Sequence, residues 1–214
     1  MQGRFSTNLK WSLAGFAVSF MSGVVVTPFL VRRLGLDLFG IAALTTSAIA
    51  YVSLISGAIN NVAGRYWVEG LHGRDVNLSE RVHSTIVFSN RVLTILALGL
   101  ALVATGFLAD FCRIPVALVM PFKVTFWLTA IAVAFNQIAV SYAAISYAYN
   151  RLDVQSRSGI VSSVLRMGMI FLCIGLIGAW VEFVAVAGLV SAIAGILVFR
   201  RYAQLLHPSL RACA

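Results

Sequence analysis

Long apolar runs, separated by short polar interruptions, dominate the chain. A membrane-crossing helix needs about 20 consecutive, mostly apolar residues. Runs of roughly that length occupy 9–31, 38–60, 92–111, 124–147, 160–179 and 183–199. The last is short but sharply bounded, by Glu182 before it and by Arg200 and Arg201 after it. No run sustains the period-2 alternation of a strand, and hydrocarbon tolerates only helices or closed barrels. The pattern therefore predicts an all-α integral membrane protein, a six-helix transmembrane bundle over residues 1–199 followed by a polar tail over 200–214. Two helices extend past the bilayer. The stretch "NLSE" at 77–80 has the form of a capping box, and a helix from there to Asp110 would be about 50 Å long. The fourth helix extends toward Arg151 through "YAAISYAYNRLD".

The interruptions differ in kind. Between the first two runs, "TPFLVRRLGLDLFGIAAL" at 27–44 carries Pro28, Gly35 and Asp37. Proline is tolerated near the end of a membrane helix, glycine permits a tight reversal, and aspartate can cap the helix that follows. The segment is expected to be a hairpin turn, with Phe39 at the interface. The longest loop is expected at 64–80, "GRYWVEGLHGRDVNLSE", which is rich in glycine and of mixed charge. "GAWVE" at 178–182 leaves room only for a tight antiparallel hairpin, with Trp180 and Phe183 as interface anchors. Gly188, Ala192 and Gly195 on the sixth run allow close approach of a neighbouring helix.

Composition supports the membrane reading. The chain is 60% hydrophobic and 11% charged, too few polar residues to cover a soluble core. Lys and Arg number 16 against 7 acids, a net charge of +9. The basic residues sit in short groups between apolar runs. That distribution suits anionic membrane lipids and not the aromatic-interleaved basic face of a nucleic-acid binder. The N-terminal run is too long for a signal peptide and is read as an uncleaved span. With the N-terminus inside, 12 basic residues fall on inside segments. Arg32, Arg33, Arg113 and Lys123 are the 4 left outside. Both termini are thus expected to be cytoplasmic.

Candidate chemistry is sparse. Cys112, Cys173 and Cys213, with His72, His83 and His207, form no metal-ligand spacing. All 7 acids lie in connections or at helix ends. There is no phosphate-binding GxxxxGK[ST] loop and no nucleophile–base constellation. No metal, no cofactor and no enzymatic activity are expected. Polar groups within spans are costly and hence informative. Asn136, Gln137 and Ser141 share one stripe of the fourth helix, either as interhelical hydrogen-bonding groups or as the wall of a hydrated cavity. Arg91 and Arg166 lie within the inner third of their helices. Each would either snorkel to headgroups or face inward as a fixed charge able to grip phosphate. Asn60, Asn61 and Arg65 end the second span, as a fraying helix terminus or as amides and a guanidinium at a cavity mouth. Arg32 and Arg33 either anchor headgroups or gate the outer mouth.

The stretch around Pro28, Arg33, Leu34, Gly35, Phe39 and Gly40 resembles the first helical hairpin of bacterial polysaccharide-biosynthesis membrane proteins. These are the oligosaccharide (O-antigen) flippases of the multidrug/oligosaccharidyl-lipid/polysaccharide exporter superfamily. Asn61, Arg65 and Tyr66 match the family's Asn–x–x–x–Arg–Tyr at the end of the second span. "YAYNRLD" at 147–153 is similar to its short basic-acidic loop, and 200–214 to its inter-lobe linker. The resemblance implies one lobe of a two-lobe, alternating-access transporter of the bacterial inner membrane. Such a lobe would be completed by a second lobe or a homodimer partner, and would act on lipid-diphosphate-linked oligosaccharide. On that reading Arg65, Arg91 and Arg166 attract the diphosphate, and the fourth-helix stripe faces the glycan. An ion-coupled multidrug exporter of the same superfamily and a truncated, non-transporting remnant are the alternatives.

Overall fold

A computed structural model describes residues 2–72, 76–148 and 151–206. It contains helices α1 (Gln2–His72), α2 (Val76–Phe111), α3 (Val116–Ala148), α4 (Leu152–Leu172) and α5 (Glu182–Leu206). A π-helical turn, Cys173–Ile177, continues α4. Among the described residues, five helices are long and apolar enough to cross a bilayer, and the first of these stretches, Ser6–Ala58, has 53 residues. A straight helix of that length would measure about 80 Å against a hydrocarbon core of about 30 Å.

Gly35 resolves the excess length. Its φ of 80° and ψ of 171° break the helical geometry inside α1, in a region that side-chain-bearing residues scarcely enter. α1 is therefore two arms, 2–34 and 36–72, and their contacts show that they run in opposite senses. The first arm lies parallel to α4: the Asp153 N–H donates to Asn8 Oδ1 at 3.2 Å, and Phe29 meets Phe171 edge-on at 4.6 Å. The second arm runs antiparallel to α2. Ile41, Ala42 and Ile49 share a cluster with Ala101 and Ala109 of α2 and with Phe122, Phe126 and Ala130 of α3, while Ser56 reaches Asn90. The expected hairpin thus exists, compressed to one non-helical residue.

The reversal defines two ends of the bundle. Gly35, the α2–α3 turn and the α4–α5 turn share one end, where Val181 joins the Ile41–Phe122 cluster. Asn8, Asp153 and the Ser56–Asn90 pair lie toward the other. At the Gly35 end a second cluster joins Leu30 and Leu34 of the first arm to Ile170 and Ile174 of α4 and to Val184 and Ala187 of α5.

The α4–α5 connection is as tight as expected. Gly178 N–H donates to the Cys173 carbonyl at 3.3 Å, and Gly178 adopts φ 148°. Trp180 is exposed there. Small residues bring the two helices together. A Cβ on Gly195 would sit 3.4 Å from Ser162 Oγ, and that hydroxyl donates to the Ser191 carbonyl at 3.2 Å.

The expected long loop at 64–80 is largely helix. α1 continues to His72 and α2 begins at Val76. Gly64 is helical and buried in the second arm and does not reverse the chain. The side chains of the 77–80 capping motif lie outside the described residues.

Candidate functional site

The first arm packs through one narrow stripe. Asn8, Trp11, Gly15, Val18, Ser22, Val26 and Phe29 are partly buried, whereas most positions between them are exposed. Among its described side chains, only Leu30 and Leu34 are fully buried. One stripe of α4 changes in the same direction: Gln155, Gly159 and Arg166 on it are exposed, and Ile170 and Ile174 are buried, although Val154 and Ser158 on another face are buried near the start of the helix. Arg166 stands one turn before Ile170 on the same stripe. Ile170 shares its cluster with both the first arm and α5, so Arg166 faces the notch between those elements. Apolar packing closes this notch at the Gly35 end, and the α4 residues along it, Arg166, Gly159 and Gln155, stay exposed toward the Asn8 end.

Arg166 makes no ion pair or hydrogen bond among the described residues. An arginine held above an apolar seam without a carboxylate is a fixed positive charge with five donors, suited to phosphate or carboxylate oxygens.

A second polar group, which sequence reasoning did not single out, sits at the notch's open end. Asp153 is buried, at 4% exposure. Arg151 grips it with two bonds, Nε to Oδ1 at 2.9 Å and Nη2 to Oδ2 at 3.3 Å. Arg157 approaches Oδ2 at 3.8 Å from one turn on. The hydrogen bond to Asp153 raises the Arg151 pKa above its ordinary value. Arg157 also lies over the Trp11 ring, at 4.4 Å from its centroid, and Ser12 and Ser156 hydroxyls are 3.4 Å apart. This group ties the first arm to α4. The i,i+4 spacing of Asp153 and Arg157 was readable in the chain; the partnership with Trp11, more than 140 positions away, was not.

The other candidates separate. Gln137 is buried at 2% exposure between helices, in keeping with an interhelical role, while Asn136 beside it is exposed. The side chains of Ser141 and Asn60 lie outside the described residues. Asn61 and Arg65 are exposed on the last turns of the second arm. Arg91 is exposed on α2, next to Asn90, which faces inward to Ser56 at 3.2 Å. No hydrogen bond or ion pair joins Arg65, Arg91 and Arg166 to one another. Arg32 and Arg33 are exposed at the Gly35 end, and Arg33 lies 6.0 Å from the Phe29 ring centroid. That cation–π contact anchors its stem to the helix surface.

The chain is similar to a protein described as "Uncharacterized membrane protein EpsK" from Bacillus subtilis (strain 168), with 24% identity over 205 residues. The similarity covers 95% of this chain and 40% of that relative, so the chain spans well under half of the relative's length. No family model matches, and no solved structure matches. Apolar helices of spanning length and a membrane-protein relative agree. The chain is a multi-pass helical membrane protein.

Proposed function

We propose that the chain forms one lobe of a transporter that moves a lipid-diphosphate-linked oligosaccharide across the bacterial inner membrane for surface polysaccharide synthesis. The observation that carries this reading is Arg166, an arginine with no acid partner among the described residues, exposed in a notch that apolar packing seals at one end. Such a notch receives an anionic headgroup from one side while the lipid tail remains in the bilayer. The "P…R-LG…FG" hairpin and the similarity to a membrane protein along nearly the whole chain support the same reading.

In this mechanism Arg65, at the open end, attracts the diphosphate and Arg166 holds it. Asn61 and Asn136 offer amides to the glycan. A second lobe supplies the facing wall. The excess of basic residues on the connections at the open end orients that end toward the cytoplasm.

The test is glycan export in cells that depend on a transporter containing this lobe. Arg166→Gln is expected to reduce export at least tenfold while leaving protein abundance in the membrane unchanged, and Arg166→Lys to restore part of it. Undiminished export in Arg166→Gln would remove the anion-holding step.

A further inference from the structure

A different surface of the bundle combines basic, aromatic and apolar positions. On α2, Arg81, Phe88, Arg91, Ile95, Leu102 and Gly106 are spaced by three, four or seven residues, one or two helical turns, and all are exposed. They form one stripe, basic and aromatic at the start and apolar beyond Arg91. The opposite face, with Ile86, Asn90, Ala101 and Thr105, is buried in the bundle. The apolar part of the stripe is thus an outer surface, and Ile95 and Leu102 are each more than 60% exposed there.

Length fixes where the arginines fall. From Arg91 to Phe111, the end of α2, the chain advances 20 residues, about 30 Å at helical rise, which matches the hydrocarbon thickness. With Phe111 at one boundary of the hydrocarbon, Arg91 lies at the other. Phe88 sits one turn farther out at headgroup depth, and Arg81 stands about 15 Å beyond Arg91. Neither arginine has an ion-pair partner among the described residues. Charge and position therefore call for an anion at the bilayer surface whose acyl chains continue along Ile95 and Leu102.

We infer that the Arg81–Phe88–Arg91 stripe binds the headgroup of an anionic phospholipid, Arg91 taking the phosphate and Arg81 adding its positive charge from just outside the headgroup layer. This assigns Arg91 to the lipid-facing surface and not to the notch that holds Arg166. Arg91 acts on the lipid through guanidinium–phosphate bonds and Arg81 through longer-range attraction, and Phe88 fills the space between them at the interface.

Native mass spectrometry of the full chain released from detergent micelles tests this with phosphatidylglycerol and phosphatidylcholine of identical acyl chains. At about 1 kcal/mol for an arginine near the surface, with Arg81 farther out contributing less, phosphatidylglycerol should be retained about five- to thirtyfold more strongly. Arg81→Gln/Arg91→Gln should reduce that preference to near unity. Arg81→Lys/Arg91→Lys should keep most of it, and Arg32→Gln/Arg33→Gln at the opposite end should leave it intact. Equal retention of both lipids by the wild type, or an undiminished preference in the double Gln variant, would overturn the assignment. So would displacement of phosphatidylglycerol by millimolar inorganic phosphate, which would indicate a free-anion site. A folded double Gln variant is recognised by an unchanged melting temperature in phosphatidylcholine. If that variant unfolds, Phe88→Ala supplies the same comparison, with an expected partial loss and with full retention counting against the stripe.

Discussion

The Arg157 guanidinium lies 4.4 Å from the ring centroid of Trp11, while one of its terminal nitrogens reaches Asp153 at 3.8 Å. One side chain thus couples the first arm of α1 to the beginning of α4. Asp153 adds a second link through its own N–H to Asn8, and Arg151 neutralises its carboxylate from the other side. Below this group the first arm has only a partly buried stripe until Leu30, so these contacts hold the open end of the notch together.

Trp11→Ala and Asp153→Asn should each loosen that end. The cation–π contact contributes about 0.5–1 kcal/mol at a partly exposed site. The Asp153 pairs, whose arginines are partly exposed, contribute about 1–2 kcal/mol, less than a fully buried pair would. The double variant should show a coupling energy of at least about 0.5 kcal/mol, since Arg157 serves both residues. Thermal unfolding in detergent measures it, and strict additivity would show that Arg157 does not connect them.

Gly35→Ala is expected to lower stability by about 1–3 kcal/mol, because φ 80° with ψ 171° is a glycine conformation. Space is not the cause: an added Cβ would meet nothing within 4 Å. Gly40→Ala is the control. Gly40 is helical and equally unobstructed, so alanine there should be neutral or stabilising by up to about 1 kcal/mol. Equal melting temperatures for the two variants would contradict the reversal at Gly35.

Gly195→Leu should separate α5 from α4. Ser162 Oγ stands 3.4 Å from where a Cβ would begin, and overpacking of this kind costs about 1–3 kcal/mol. Gly188→Ala, with no atom within 4 Å of the added Cβ, should be tolerated. A cysteine pair introduced at Gly159 and an exposed α5 position would report the separation as a changed cross-linking rate.

Ser56→Ala removes the 3.2 Å hydrogen bond to Asn90 between the second arm and α2. Interhelical hydrogen bonds in membrane proteins average about 0.6 kcal/mol, so the melting temperature should fall only slightly. Asn90→Leu should cost more, because it also inserts a larger apolar side chain into a buried site.

The relation between the chain and its structure differs from element to element. The α4–α5 hairpin was readable because "GAWVE" is too short for anything else, and the reversal near Gly35 because Pro, Gly and Asp cluster there. The helix through 64–72 was not. Gly64 and Gly70 argue locally for a loop, yet the helix runs through both and Gly64 is buried within the second arm. Among the site residues, the polar character of Asn136, Gln137 and Arg166 was legible, but their facing was not. Gln137 is buried and Asn136 exposed although they are adjacent, since neighbouring positions on a helix point about 100° apart. Asp153 looked like a loop acid and is instead the buried centre of an ion-pair group.

The sequence by itself determined that this is a helical membrane protein, because apolar runs of bilayer length leave no other way to satisfy the backbone. It also located the two reversals that glycine makes possible. Only the tertiary structure decided which polar residues meet, that Arg157 spans Trp11 and Asp153 and that Arg91 and Arg166 occupy different surfaces. In a chain so uniformly apolar, hydrophobicity does not distinguish the face that packs from the face that meets lipid. That choice is made by the fit of small residues, by aromatic edges and by a few polar pairs between helices far apart in sequence.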